Sequence, residues 1–279
     1  MDYELIDCGD ERRLERFGSM ILDRPAPQAY HPKRLEDSVW DSAHAYFDRS
    51  DLKNPHWLDL SVFPADWQMQ LDSLTLELRP SINNQVGVFP EQAPNWNWLQ
   101  KILQKNKSPT KVLNAFAYTG VATLMASAAG PHVEVCHLDA SKASVTWAKR
   151  NAELSGLANN TIRWMVDDVL KFLNREIKRG QKYDAFILDP PAFGRSAGVL
   201  WKLERDLPIL MECVNELLSD QPRFVILSCH STEFTSEHLA EVLETLDAFR
   251  GQRATSVDLG LTSKHGNSMS SSICGRIAF

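Results

Sequence analysis

No two cysteines in this chain stand at C-x-x-C spacing, and the five present, Cys8, Cys136, Cys213, Cys229 and Cys274, make an odd number. Such a set suits neither a disulfide framework nor a structural zinc site, so a reducing compartment and no bound metal are expected. No stretch approaches the roughly 20 apolar residues that span a bilayer. The opening residues, Met1-Asp2-Tyr3-Glu4, lack the basic start and apolar run of a secretory leader. These absences lead to the expectation of a cytoplasmic protein with no membrane partner. Positive charge is not in excess either: 30 Lys and Arg face 36 Asp and Glu, a net charge of -6. Tight non-specific binding to nucleic acid rests on neutralising phosphates and is disfavoured; a local basic face, or a substrate held by shape, stays open. Internal repeats and low-complexity segments are also missing.

What is present is ample core material, 43% hydrophobic residues over 279 positions, which suits one large domain with a small appendage. The chain has two textures. Residues 1–80 are broken by Pro25, Pro27, Pro32, Pro55, Pro64 and Pro80, with short strand-like runs between them. Tyr3 to Ile6 is one run; Met69, Leu71, Leu74, Leu76 and Leu78 mark another, alternating with period two. A small β-rich module is expected there, with one helix over 35–47 on which Leu35, Val39, Ala43 and Phe47 share a side. Residues 81–279 read as a second domain. Apolar runs at Val112–Phe116, Val133–Leu138, Ile162–Val166, Ala185–Leu188 and Phe224–Ser228 alternate with helical patterns at 119–129, 141–155, 168–179, 201–219 and 236–249. This alternation predicts parallel βαβ units. Strands near 254–261 and 272–279 are too close for a crossover and predict a closing hairpin that brings one antiparallel strand into the sheet.

In an open sheet of this kind ligands bind beyond the carboxyl ends of the strands, where strand order reverses. The first turn reads Asn114-Ala115-Phe116-Ala117-Tyr118-Thr119-Gly120. Gly120 is its only glycine, so a dinucleotide G-x-G-x-x-G is absent and a nicotinamide dehydrogenase ranks low. By itself the turn also fits an ordinary strand-to-helix connection. The second strand ends in Asp139, about 20 residues on, where a carboxylate can accept from both ribose hydroxyls; a surface turn residue is the plainer alternative. The third strand ends in Asp167-Asp168. A carboxylate here can accept an adenine amino group, with Asp168 preferred over Asp167; Asp168 also fits a helix N-cap.

The fourth strand runs into Asp189-Pro190-Pro191-Ala192-Phe193. Two prolines stiffen the chain and remove two donors, leaving carbonyls to accept from an exocyclic amine of a planar substrate. Phe193 can stack on such a ring. The fifth strand leads to Cys229-His230. A Cys229 thiolate could attack carbon 6 of a pyrimidine, with His230 lowering its pKa; a buried core cysteine is the alternative. Basic groups at Arg12-Arg13-Arg16 and Arg175-Lys178-Arg179-Lys182 offer phosphate contacts or a merely solvated face.

Taken together, Gly87-Val88-Phe89-Pro90-Glu91-Gln92, Val112 to Gly120, Leu138-Asp139-Ala140-Ser141, Asp167-Asp168-Val169, Asp189-Pro190-Pro191-Ala192-Phe193 and Leu227-Ser228-Cys229 resemble the class I S-adenosylmethionine-dependent methyltransferases. The likeness is to the bacterial 23S rRNA cytosine-C5 methyltransferase-like branch, without its RNA-binding PUA domain and with Ala192 where some members carry lysine. It implies a doubly wound Rossmann-like sheet, mostly parallel with one antiparallel strand, and S-adenosylmethionine as cofactor. It implies cofactor contacts from Phe89, Gln92, Asn114, Phe116, Tyr118, Thr119, Gly120, Asp139, Ala140, Asp167, Asp168 and Asp189. Phe116, Tyr118 and Gly120 would line the methionine end, and Phe89 and Gln92 would close over the cofactor. The catalytic set would be Asp189, Pro190, Pro191, Phe193 and Cys229. The substrate expected is a base of RNA, as in rRNA processing. A small molecule or protein side chain is the second reading, and a non-catalytic cofactor-binding protein the third.

Overall fold

The computed structural model describes residues 2–196, 199–231 and 233–279. The chain divides into two compact units: Met1–Glu91 with Gly260–Ser271, and Gln92–Leu259 with Ser272–Phe279.

The first unit is β-rich. Strands β1 (Tyr3–Gly9), β2 (Arg12–Phe17) and β3 (Met20–Pro25) form an antiparallel meander. A short helix α1 (Asp37–Trp40) leads to β4 (Ala45–Asp48), which lies parallel to β3, and β5 (His56–Trp57) pairs with β4. Strands β6 (Gln68–Leu71) and β7 (Leu74–Glu77) make a hairpin whose Met69, Leu71, Leu74 and Leu76 are buried, as their alternation requires. The single helix expected over 35–47 is only one turn long. The Ser42 hydroxyl and N–H both turn back to the Val39 carbonyl, an arrangement that competes with the helical ladder. The His44 N–H then donates to the Ile21 carbonyl, and the following residues join the edge of β3.

The second unit begins with α2 (Ala93–Lys105), started by Pro94 in its first turn, where a missing N–H costs nothing. There follow β8 (Thr110–Ala115), α3 (Val121–Ser127), β9 (Val133–Asp139), α4 (Lys142–Leu154), β10 (Ile162–Val166), α5 (Val169–Lys178) and β11 (Ala185–Leu188). A small hairpin, β12 (Phe193–Ser196) and β13 (Val199–Lys202), precedes α6 (Leu203–Leu217). Then come β14 (Phe224–Cys229), α7 (Ser236–Glu244), β15 (Thr255–Thr262) and β16 (Ser268–Ala278), of which Gly260–Ser271 is counted with the first unit. The seven-stranded sheet has the order β10-β9-β8-β11-β14-β16-β15. Its first five strands are parallel and β16 runs antiparallel to β14. This is the expected Rossmann-like methyltransferase arrangement.

Central strands are covered on both faces, which is why β11 reads as an unbroken apolar run and β14 as one interrupted only by Ser228, and not as alternation. Fully burying a side chain such as Phe186 or Leu227 contributes roughly 1.5–3 kcal/mol. Strand order reverses between β8 and β11, since the chain moves outward one way through β9 and β10 and the other way through β14. Ligand chemistry belongs at the carboxyl ends of the strands beside that point. Residues 201–202, expected to be helical, end strand β13 instead, and α6 begins at Leu203, two residues later than expected.

Candidate active site

The strand registers align the carboxyl ends in one row. Leu188 stands level with Ala115 on one side and Leu227 on the other; Ala115 stands level with Leu138, and Val166 with Asp139. Asp139, Asp167, Phe116, Asp189 and Ser228 therefore sit at one rim.

The turn after β8 is unusual in its backbone. Phe116 and Tyr118 have φ of 58° and 48°, and Gly120 has 86°. Left-handed conformations at two bulky residues are costly and persist only when their surroundings fix them. Asp139 supplies that fixation: its Oδ2 accepts the Tyr118 N–H at 2.8 Å, and its Oδ1 accepts the Ser141 N–H at 2.8 Å. The Thr119 carbonyl accepts from the Asn151 side chain at 3.0 Å. A Cβ on Gly120 would come within 2.8 Å of the Ala148 Cβ, so glycine lets α4 pack against the turn.

Beneath the turn lies a buried polar set. Asn114 shares a hydrogen bond with the Thr123 hydroxyl, which is 2.9 Å from His137 Nδ1. With the Asn114 amide turned so that its nitrogen donates to the Ile187 carbonyl, every link has a donor and an acceptor. Burial pushes His137 down to about 3, so the ring is neutral. Asn114 and Thr119, both expected to touch cofactor, are buried.

Phe116, Tyr118 and Asp139 are half-buried, and Ala140 is exposed. Burial raises the Asp139 carboxyl, against the lowering effect of its two N–H donors. A carboxylate oxygen has more acceptor capacity than one N–H fills. Asp139 is thus a desolvated acceptor with capacity left over, which is what a vicinal diol such as ribose would satisfy. S-adenosylmethionine, whose ribose hydroxyls can donate, fits this acceptor.

Asp168 caps α5, its Oδ1 accepting the Lys171 N–H at 3.0 Å. Asp167 pairs with Arg175 and accepts the Asp168 N–H at 2.8 Å. Both carboxylates are at the rim, and each already has an internal partner.

At the Asp-Pro-Pro turn, Asp189 is half-buried, and its Oδ1 accepts the Ser228 hydroxyl at 2.8 Å. Pro190 is buried and Pro191 exposed. Of the carbonyls along this turn, those of Pro191 and Ala192 are occupied: Trp201 Nε1 donates to the first at 2.7 Å and the Leu203 N–H to the second at 3.0 Å. Trp201 also packs on Phe116, ring centroids 5.0 Å apart. Phe193 is 67% exposed, with the Lys202 ammonium 5.9 Å from its ring centre. Cys229 is fully buried in the core, and burial pushes its thiol up to about 12, with the Asp189 charge and Cys274 adding to the effect. His230 beside it is exposed. Burial, the Asp189 charge and Cys274 each disfavour the thiolate that a nucleophile requires.

Gln92 belongs to this unit and donates to the Ser228 hydroxyl at 3.3 Å. Phe89 belongs to the first unit. The arginine groups read as phosphate contacts are engaged internally: Arg12 with Asp23, Arg13 with Glu15, Arg16 with Glu4, Arg175 with Asp167 and Arg179 with Glu176. Among the described residues no group of three His, Cys, Asp or Glu is arranged to hold a metal ion, and no helix is long and apolar enough to cross a membrane.

Residues 44–253 match the family model for S-adenosylmethionine-dependent methyltransferase. The chain belongs to this family. The crystal structure of a SAM-dependent methyltransferase from Agrobacterium tumefaciens superposes with a TM-score of 0.92 at 35% identity, covering 100% of this chain and 90% of that one. Ribosomal RNA large subunit methyltransferase I of Aeromonas salmonicida is 33% identical over 117 residues, 42% of this chain and 28% of that protein. The enzyme of the same name from Escherichia coli O127:H6 is 30% identical over 232 residues, 77% of this chain and 57% of that protein. Against these two curated relatives the methyltransferase chain spans well under two thirds of their length.

Two residues at the rim were not singled out by sequence reasoning. Ser228 is a lone hydroxyl within an apolar strand and, by register, neighbours the residue after Leu188; that pattern was a usable signal. Trp201 was hidden inside an expected helix.

Proposed function

We propose that the chain transfers a methyl group from S-adenosylmethionine to a base of RNA, with residues 81–279 as the catalytic domain and residues 1–80 as an appended module. The observation that carries this reading is the single rim that brings Asp139, the Phe116–Gly120 turn and Asp189 together on adjacent parallel strands. The names of the ribosomal RNA methyltransferase relatives support RNA as acceptor.

S-adenosylmethionine supplies a methyl group already activated on a sulfonium, so alignment and exclusion of water are the protein's main contributions. Asp139 holds the ribose, with Ala140 beside it. The Phe116, Tyr118 and Gly120 turn lines the methionine end, and Asn114 and Thr119 keep that turn in shape. Asp167 and Asp168 border the adenine. Asp189 and Pro190 orient the acceptor through hydrogen bonds, and exposed Phe193 offers a face for the base to stack on. Gln92 supports Asp189, and Phe89 lies on the segment entering the domain. Cys229 serves as a core residue, so the transfer is direct, without a covalent enzyme–base adduct.

Radiolabelled S-adenosylmethionine with total RNA from cells lacking the gene tests this. Label should enter RNA with the wild type, and a Cys229→Ala variant should label it as well. Loss of all transfer in a folded Cys229→Ala variant would restore the nucleophile. The net charge of -6 and the internal pairing of the arginines favour one second reading, a small-molecule or protein acceptor. Absence of label in RNA, with cofactor binding intact, would select it.

A further inference from the structure

A file of hydrogen bonds, buried up to its last, part-buried link, runs from Arg276 on β16 to Asp189 at the rim. Arg276 Nε donates to Asn95 Oδ1 at 2.6 Å; Asn95 Nδ2 donates to Gln92 Oε1 at 2.6 Å; Gln92 Nε2 donates to Ser228 Oγ at 3.3 Å; Ser228 Oγ donates to Asp189 Oδ1 at 2.8 Å. Cys274 Sγ also donates to Asn95 Oδ1, at 3.4 Å. Gln92, Asn95, Ser228 and Arg276 are all buried, so water does not compete for these groups.

The direction of this file is forced. A guanidinium can only donate, so Asn95 must turn its oxygen toward Arg276 and its nitrogen toward Gln92. Gln92 must then answer with its oxygen, which points its nitrogen at Ser228. Ser228 accepts that N–H and has only its own proton left to give, which goes to Asp189 Oδ1 at 2.8 Å in preference to the more distant Leu188 carbonyl at 3.5 Å. Each link polarises the next in a low-dielectric interior. An amide or hydroxyl in isolation could turn either way; here a cation remote from the rim settles all three.

We propose that Arg276, Asn95, Gln92 and Ser228 are positioning residues for methyl transfer, acting as a one-way donor chain that sets the orientation of the Asp189 carboxylate toward the acceptor. The proposal rests on the placement of Asp189 at the reacting end of the site. It assigns Gln92 a role beneath the Asp-Pro-Pro turn, distinct from closing over the cofactor. It also explains why a polar pair, Asn95 and Gln92, lies buried at the start of α2, where apolar residues would pack without needing partners.

Two variants separate the chain from simple packing. Ser228→Ala removes the last donor. Asn95→Asp leaves the Arg276 contact in place, now as an ion pair, but presents only acceptors to Gln92. Gln92 must then reverse, turning its nitrogen to position 95 and its oxygen to Ser228, which captures the Ser228 proton and takes it from Asp189. Asn95→Asp should therefore reproduce Ser228→Ala without touching the rim. Using total RNA from cells lacking the gene as acceptor, each variant should lower kcat about tenfold while S-adenosylmethionine affinity by calorimetry stays within about twofold. The double variant should be no slower than Ser228→Ala alone, because a broken chain cannot be broken twice. Ser228→Thr should recover the larger part of the loss. Crystal structures of both single variants should show Asp189 turned away from its wild-type rotamer. Full multiplication of the two losses, or an unmoved Asp189 in both structures, would overturn the chain. If wild-type protein labels no RNA, the acceptor assignment fails by itself, and the Asp189 rotamers still decide the chain.

Discussion

The Trp201 indole N–H donates to the Pro191 carbonyl at 2.7 Å while the same ring packs on Phe116 at 5.0 Å. One side chain thereby couples the Asp-Pro-Pro turn, where the acceptor is proposed to lie, to the turn proposed to hold the methionine end of the cofactor.

Substituting Trp201 by Phe keeps much of the packing and removes the donor. A protein hydrogen bond contributes about 0.5–1.5 kcal/mol net, so kcat should fall by about three- to tenfold with little change in cofactor affinity. Trp201→Ala removes the ring as well and should weaken S-adenosylmethionine binding too. Steady-state kinetics and calorimetry on the two variants check this; equal effects of Phe and Ala on cofactor affinity would disprove the division of labour.

Asp139 holds the Tyr118 and Ser141 N–H groups, and in the proposed role it offers its remaining acceptor capacity to a diol. Asp139→Ala should lower S-adenosylmethionine affinity by at least about tenfold, the scale of one or two charge-assisted hydrogen bonds. Asp139→Asn keeps one acceptor oxygen and should lose less. Unchanged affinity in Asp139→Ala by calorimetry would remove the ribose from this position.

Gly120→Ala places a methyl group 2.8 Å from the Ala148 Cβ at a φ of +86°. Strain and overpacking of this sort together cost about 2–4 kcal/mol. Urea denaturation should show a lower midpoint with an unchanged slope, and cofactor affinity should fall with it. A variant as stable as wild type would mean that α4 can move away from the turn.

Much of this was legible beforehand because parallel strands announce themselves. Ile162–Val166 and Ala185–Leu188 are strands over the residues their apolar runs marked, and each run ends at the carboxylate that reaches the rim. The helix at 35–47 and the start of α6 were misjudged for a shared reason. His44 and Trp201 make contacts to residues distant in sequence, Ile21 and Phe116, and local periodicity does not register such competition. Site chemistry divided similarly. Asp139 stood out by its spacing from the turn, whereas the burial of Cys229 and the use of the Pro191 carbonyl depend on what packs around them. The link from Arg276 through Asn95 to Gln92 joins positions far apart in the chain, and no motif contains them together.

His137 gives a pH dependence with a definite sign. Burial takes the imidazole from its ordinary 6.5 down to about 3, so the folded protein keeps it neutral where the unfolded chain protonates it. Between those values the unfolded state binds one proton more than the folded state. The stability associated with the neutral ring is therefore complete above pH 6.5 and is lost as pH falls toward 3, at a limiting slope of about 1.4 kcal/mol per pH unit. The raised Asp139 carboxyl acts in the opposite direction over its own titration, because there the folded state takes the proton first. A difference measurement separates the two. His137→Asn leaves a polar group near Thr123 and removes the titration, so it should be less stable than wild type at pH 7 and approach or overtake it by about pH 4.5. Urea unfolding of both proteins at half-unit pH steps reads this directly, and parallel stability curves would show that the imidazole is charged in the folded state or reached by water.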